Sequence, residues 1–275
     1  SGKMKWDAVK SRVLKFIAPF LLWTILFFVM QPTLPRTVNI FLRTYYYIPL
    51  AIQYYLLSPY LGPLAKKHWK ALLIGTAVIQ IAVMSLGYFN YFRLDFPGMQ
   101  TAIQLTPTWF FPSRIFYFSL GLVAGFHRKL FAQWFAKTKY VLLGSLVFFL
   151  VMSMVEYQIV DNAIADRWLG PNFIGVFRTL YATTFSLTFL AFDKVKWPFE
   201  KELNKLGGMS LGVYLVNTPA IYVASSLIYK FAPVILGIQI VYQPILIVAG
   251  VAVPVLLMNL LGKSPVRGYY QYVFG

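Results

Sequence analysis

The chain has 275 residues, of which 59% are hydrophobic, 19% aromatic and only 12% charged, and its mean hydropathy of +0.65 is not that of a soluble globular domain. A net charge of +17 does not make it a nucleic-acid binder, because its 25 basic residues are spread over short hydrophilic connections instead of forming one phosphate-binding face. Cysteine is absent, which excludes disulfides and thiolate chemistry, and two histidines with eight scattered carboxylates leave too little for a metal cage.

The first element runs from Lys10 to Met30, where Lys10, Arg12 and Lys15 lead into an apolar stretch of membrane-spanning length. Basic residues stay with the anionic cytoplasmic leaflet, so this helix is expected to run from inside to outside, bent at Pro19 where a backbone hydrogen bond is lost. No small-residue cleavage site precedes Gln31, so no cleavable signal is read here. Seven further apolar segments follow, at about 45–62, 70–89, 109–126, 140–157, 172–192, 209–229 and 239–261, each near the length a spanning helix needs. The pattern predicts an all-α, polytopic integral membrane protein of about eight transmembrane helices, forming one domain over residues 1–275.

Alternation puts the connections 62–70, 127–139, 193–208 and the tail from 262 on the cytoplasmic side, and 32–44, 90–108, 158–171 and 230–238 outside. Together with Lys3, Lys5, Lys10, Arg12 and Lys15 at the N-terminal end, the inner set carries eighteen basic residues. The outer set carries five, Arg36, Arg43, Arg93, Arg167 and Lys230, which is the bias expected of a correctly ordered topology with both termini inside. Aromatic clusters at Tyr45-Tyr46-Tyr47, Trp69, Trp109-Phe110-Phe111, Trp134, Trp168, Trp197 and Tyr269-Tyr270 read as interfacial belts. Pro49, Pro59, Pro112, Pro219, Pro244 and Pro254 interrupt spans and hint at a cavity, whereas Gly121 and Gly125 have a spacing used for close helix packing.

Charges inside a bilayer are costly and point to function. Arg114 and Arg178 fall within spans, and Glu156 lies at the outer end of another. One reading is an outward-facing polar pocket in which Glu156 pairs with one arginine and the other meets a substrate; the other is snorkelling plus a structural ion pair. Gln53, Gln80 and Asn217 lie deeper and need partners away from lipid, as interhelical bonds would provide. Asn217 is followed closely by Pro219, which frees backbone carbonyls beside it. His68 and His127 stand beside basic residues at the inner interface, as headgroup contacts do. No nucleotide loop, nucleophile elbow, zinc-protease motif or kinase signature occurs, so spacing alone leaves both a transporter and a membrane enzyme open.

Particular residues then suggest a family. Arg12-Val-Leu-Lys15-Phe-Ile-Ala-Pro19-Phe-Leu-Leu-Trp23, the stretch Phe110 to Gly125, Leu206-Gly-Gly-Met-Ser210-Leu-Gly-Val-Tyr214-Leu-Val-Asn217, and the ending Lys263 to Gly275 resemble, in order, segments of the membrane acyltransferases often called acyltransferase family three. The resemblance implies transfer of an acyl group, acetyl or succinyl, from cytoplasmic acyl-CoA to a hydroxyl of an envelope carbohydrate or lipid-linked acceptor, at a bacterial inner membrane. Acyl-CoA is then a co-substrate and no cofactor is implied. It also implies ten spans, with an arginine and a catalytic histidine on a first helix, so the chain is expected to lack two helices and to be inactive as a fragment. Ser1-Gly2 is read either as the remnant of a cleaved tag or as a start inside a longer protein. Arg12 and Lys15 match the family's basic pair and, with His127, are the candidates for meeting the donor; a lysine at 15 gives up the bidentate phosphate contact of an arginine. Where the family has histidine, this chain has Asn217, which can orient but not accept a proton. A glycan or lipid transporter, and a catalytically dead relative, are the alternatives.

Overall fold

Apolar runs bounded by proline, glycine and charge form helices throughout the computed structural model, which describes residues 6–35, 37–164, 175–193, 195–196 and 198–275, apart from the side chains of residues 7 and 8. The helices are α1 (Trp6–Met30), α2 (Val38–Thr44), α3 (Tyr47–Lys67), α4 (Trp69–Tyr91), α5 (Met99–Leu105), α6 (Ile115–Phe126), α7 (Arg128–Ala163), α8 (Val176–Ala191), α9 (Glu200–Gly208), α10 (Ser210–Phe231), α11 (Gln239–Lys263) and α12 (Tyr270–Phe274). Short 3-10 segments at Phe111–Arg114, Pro233–Gly237 and Arg267–Tyr269 join them, and no strand occurs among the described residues. Lys3, Lys5, Arg36, Arg167, Trp168, Lys194 and Trp197, which enter the charge count or the aromatic belts, lie outside the described residues, as does the start of the segment expected at 172–192.

Each of the eight expected segments falls on a helix. Five are long and apolar enough to cross a bilayer: Val9–Met30, Trp69–Tyr91, Arg128–Ala163, Ser210–Phe231 and Gln239–Lys263. The other three are α3, which carries Pro59 and Pro63, the apolar run Phe111–Phe126, and α8 with 16 residues. The molecule is an all-α polytopic membrane protein. It divides into two compact units, Ser1–Trp6 with Pro49–Val195, and Asp7–Ile48 with Lys196–Gly275.

In the first unit α4 packs along α6, and α7 lies beside α8. Leu50, Tyr54 and Ile115 form one buried cluster, backed by the stacked rings of Tyr54 and Phe118, 4.7 Å apart. Ala65, Leu72 and Val123 form a second. The connection expected at 127–139 is instead the start of α7, because its sequence holds no proline or glycine to break a helix. With 36 residues α7 is about 54 Å long, well beyond the roughly 30 Å of a hydrocarbon core.

The second unit is built on the α10–α11 hairpin, with α12 against both. Gly212 permits this approach: a Cβ there would stand 2.6 Å from the Met258 side chain and 3.1 Å from the Phe274 Cβ. The indole of Trp23 on α1 donates to the Val273 carbonyl at 2.7 Å and stacks on Phe274. Two sequence expectations change here. Tyr45 is not a belt residue but is buried edge-on against Tyr214; in the first unit, a Cβ added at Gly121 or Gly125 would meet no neighbour within 4 Å among the described residues, so these glycines do not pack a helix closely.

Candidate functional site

Polar side chains in the first unit first serve the backbone. The Gln53 amide donates to the carbonyls of Pro49 and Trp109 at 3.0 and 2.8 Å and accepts from Phe111 N–H at 3.1 Å. Tyr54 donates to the Phe111 carbonyl, and Gln80 accepts from Phe116 N–H at 3.1 Å. A 3-10 segment and a helix start expose backbone groups that apolar surroundings cannot satisfy. These amides satisfy them and so fix Arg114, which ends the 3-10 segment and is the N-cap residue of α6.

Glu156 does the same for α8. Its carboxylate, 9% exposed, accepts from Val176 N–H at 2.8 Å, Phe177 N–H at 3.1 Å and Arg178 N–H at 3.3 Å, and from the Tyr88 hydroxyl. A carboxylate facing the first turn also meets the positive end of the helix dipole. Arg178 therefore meets Glu156 through its own backbone N–H.

From α6, the Tyr117 hydroxyl reaches α8 and donates to the Thr179 carbonyl at 3.3 Å. The charges of both Arg114 and Arg178 act on that phenol, and the charge of Arg114 also acts on Tyr54. The arginines, Glu156 and Tyr117 thus share one region. Beside it, Ser153, Met154, Tyr157 and Gln158 of α7 and Arg178 and Tyr181 of α8 line an open groove of about 410 Å³. His127, at the corner between α6 and α7, donates from Nε2 to the Ala65 carbonyl at 3.0 Å, with its ring 5.8 Å from Trp69.

The remaining candidates belong to the second unit. Lys15 lines a groove of about 450 Å³ with Lys10, Ser11, Leu14, Ala18, Gln271 and Tyr272. Arg12, exposed, lies one turn before Lys15 on α1. Asn217 is half-buried in α10, accepts from the Thr218 hydroxyl at 3.1 Å, and faces Gly250 of α11. Sequence reasoning missed Gln271 and Tyr272, because a five-residue terminal helix gives no periodic signal. It also missed Tyr88, whose role depends on a helix start far along the chain.

Comparison with curated proteins and with solved structures returned no match. The model of the family described as an acyltransferase domain, acyltransferase family three, matches residues 2–259, and the chain belongs to that family.

Proposed function

We propose that the protein transfers an acyl group from acyl-CoA to a hydroxyl of an envelope carbohydrate or lipid-linked acceptor, at a bacterial inner membrane and with both termini on the cytoplasmic side. The observation that carries the donor half is the groove at the basic end of α1, where Lys10, Ser11 and Lys15 face Gln271 and Tyr272. Two ammonium groups with a hydroxyl, an amide and a phenol suit the phosphates of coenzyme A, which lysine meets as a point charge. Arg12 adds positive charge one turn away on the same helix. The acceptor half is read from the α7–α8 groove, where Tyr157 and Tyr181 offer ring faces and Ser153, Gln158 and Arg178 offer hydrogen-bonding groups to a polyhydroxylated ligand. Asn217 orients but takes no proton, so general-base work falls to another group.

Calorimetry on the full chain in nanodiscs tests the donor assignment. Coenzyme A is expected to bind, and Lys15→Gln to weaken it roughly three- to tenfold. Removal of the 3′-phosphate from the ligand should cost a comparable factor and shrink the effect of the substitution. Coenzyme A that does not bind, or binds Lys15→Gln equally well, would overturn the assignment.

A further inference from the structure

The first unit gathers six exposed cations at one end. There α3 ends at Lys67 and α4 begins at Trp69, with His68 between them, while α6 ends at Phe126 and α7 begins at Arg128, with His127 between them. The hydrogen bond from His127 to the Ala65 carbonyl joins the two corners. Beneath them Ala65, Leu72 and Val123 are buried, with Trp69 and Phe131 packed against that cluster. Lys66, Lys67 and Lys70 are thereby held at the same end of the unit as Arg128 and Lys129, and Lys137 follows about two and a half turns along α7.

No carboxylate lies on the segments that meet here. The chain has no Asp or Glu between Asp7 and Asp95, nor between Asp95 and Glu156. Like charges gathered in this way repel one another and call for a counter-charge from outside the chain. The lysines of α9 differ, because Lys201 and Lys205 share that helix with Glu200 and Glu202. Among the cations of α7 stand outward apolar side chains. Leu130 and Trp134 are 46% and 43% exposed, and their spacing of four and then three residues puts them on one helix face with Lys137. On α4, Lys70 Nζ stands 5.5 Å from the centre of the Trp69 ring. Indoles and long-stemmed cations on one face suit the headgroup layer, where rings and methylenes meet the glycerol region and the charges meet phosphate. A soluble polyphosphate would use the charges and leave Leu130 and Trp134 bare to water.

We propose that this end of the first unit binds anionic phospholipid headgroups, through the two corners and the first turns of α7. Either leaflet would supply such lipids, so neither the orientation nor the donor site is assumed.

Native mass spectrometry of the full chain, released from nanodiscs of equal phosphatidylglycerol and phosphatidylcholine, counts the lipids it retains. The wild type is expected to retain phosphatidylglycerol over phosphatidylcholine roughly fivefold or more, since a single cation near a charged surface contributes about that factor. Lys67→Gln with Lys70→Gln, and separately Arg128→Gln with Lys129→Gln, should each cut the preference roughly threefold or more, whereas Lys201→Gln with Lys205→Gln should leave it unchanged. A wild type without preference overturns the inference, as does a preference that neither corner pair lowers or that all three pairs lower equally. Coenzyme A in millimolar excess is expected to leave the retained phosphatidylglycerol in place. Its displacement would make the corner a site for soluble phosphates and overturn the inference, whatever becomes of binding at Lys15.

Discussion

Replacing Glu156 by glutamine would keep the side chain's shape and remove the charge that three backbone N–H groups and the Tyr88 hydroxyl now meet. Hydrogen bonds to charged groups contribute about 1.5–3 kcal/mol each, and an amide would also turn donors toward donors. Glu156→Gln is therefore expected to destabilise by roughly 2–4 kcal/mol, and Tyr88→Phe by about half as much. Thermal unfolding in detergent checks the order, and an unchanged Tm for Glu156→Gln would contradict it. The rarity of charge in an apolar segment marked this residue from sequence. Its partners were not legible, because the carboxylate answers backbone groups twenty or more residues away, and backbone groups carry no sequence signature.

The interrupted run Phe111–Phe126 holds together because amides from other helices take up its freed backbone groups. Gln53→Leu leaves Phe111 N–H without its acceptor and Trp109 C=O without its donor, at roughly 2–4 kcal/mol in apolar surroundings. Loss of protease resistance in the 105–115 stretch should accompany the fall in Tm. Glycines separate the same way by environment. Gly121→Ala is expected to be neutral or to stabilise by about 0.5–1 kcal/mol, since nothing lies within 4 Å of its Cβ position. Gly212→Ala must displace Met258 or Phe274 and should lower the Tm. Hydropathy gave all eight helical segments, but the connection at 127–139 was misread: composition showed its charge, and charge alone does not end a helix.

The topology as a whole was read from basic residues, and the absence of cysteine makes it directly measurable. A single cysteine at Lys201 is expected to react only with membrane-permeant thiol reagents in intact cells, and one at Asp95 also with impermeant ones; the reverse pattern would refute the orientation. The family, too, was legible from the order of its motifs, and the match over residues 2–259 agrees. What no linear reading supplied is the division into two units, each with its own interior, one of them assembled from residues 7–48 and 196–275.

That discontinuity bears on biosynthesis. The Trp23 indole and the Val273 carbonyl that it meets are 250 positions apart, so α1 must enter the translocon and wait while everything between is synthesised. Phe41 and Tyr45 reach its outer half early, but Val273 and Phe274 arrive only as translation nears α12. A ribosome that stalls anywhere in that interval would strand it.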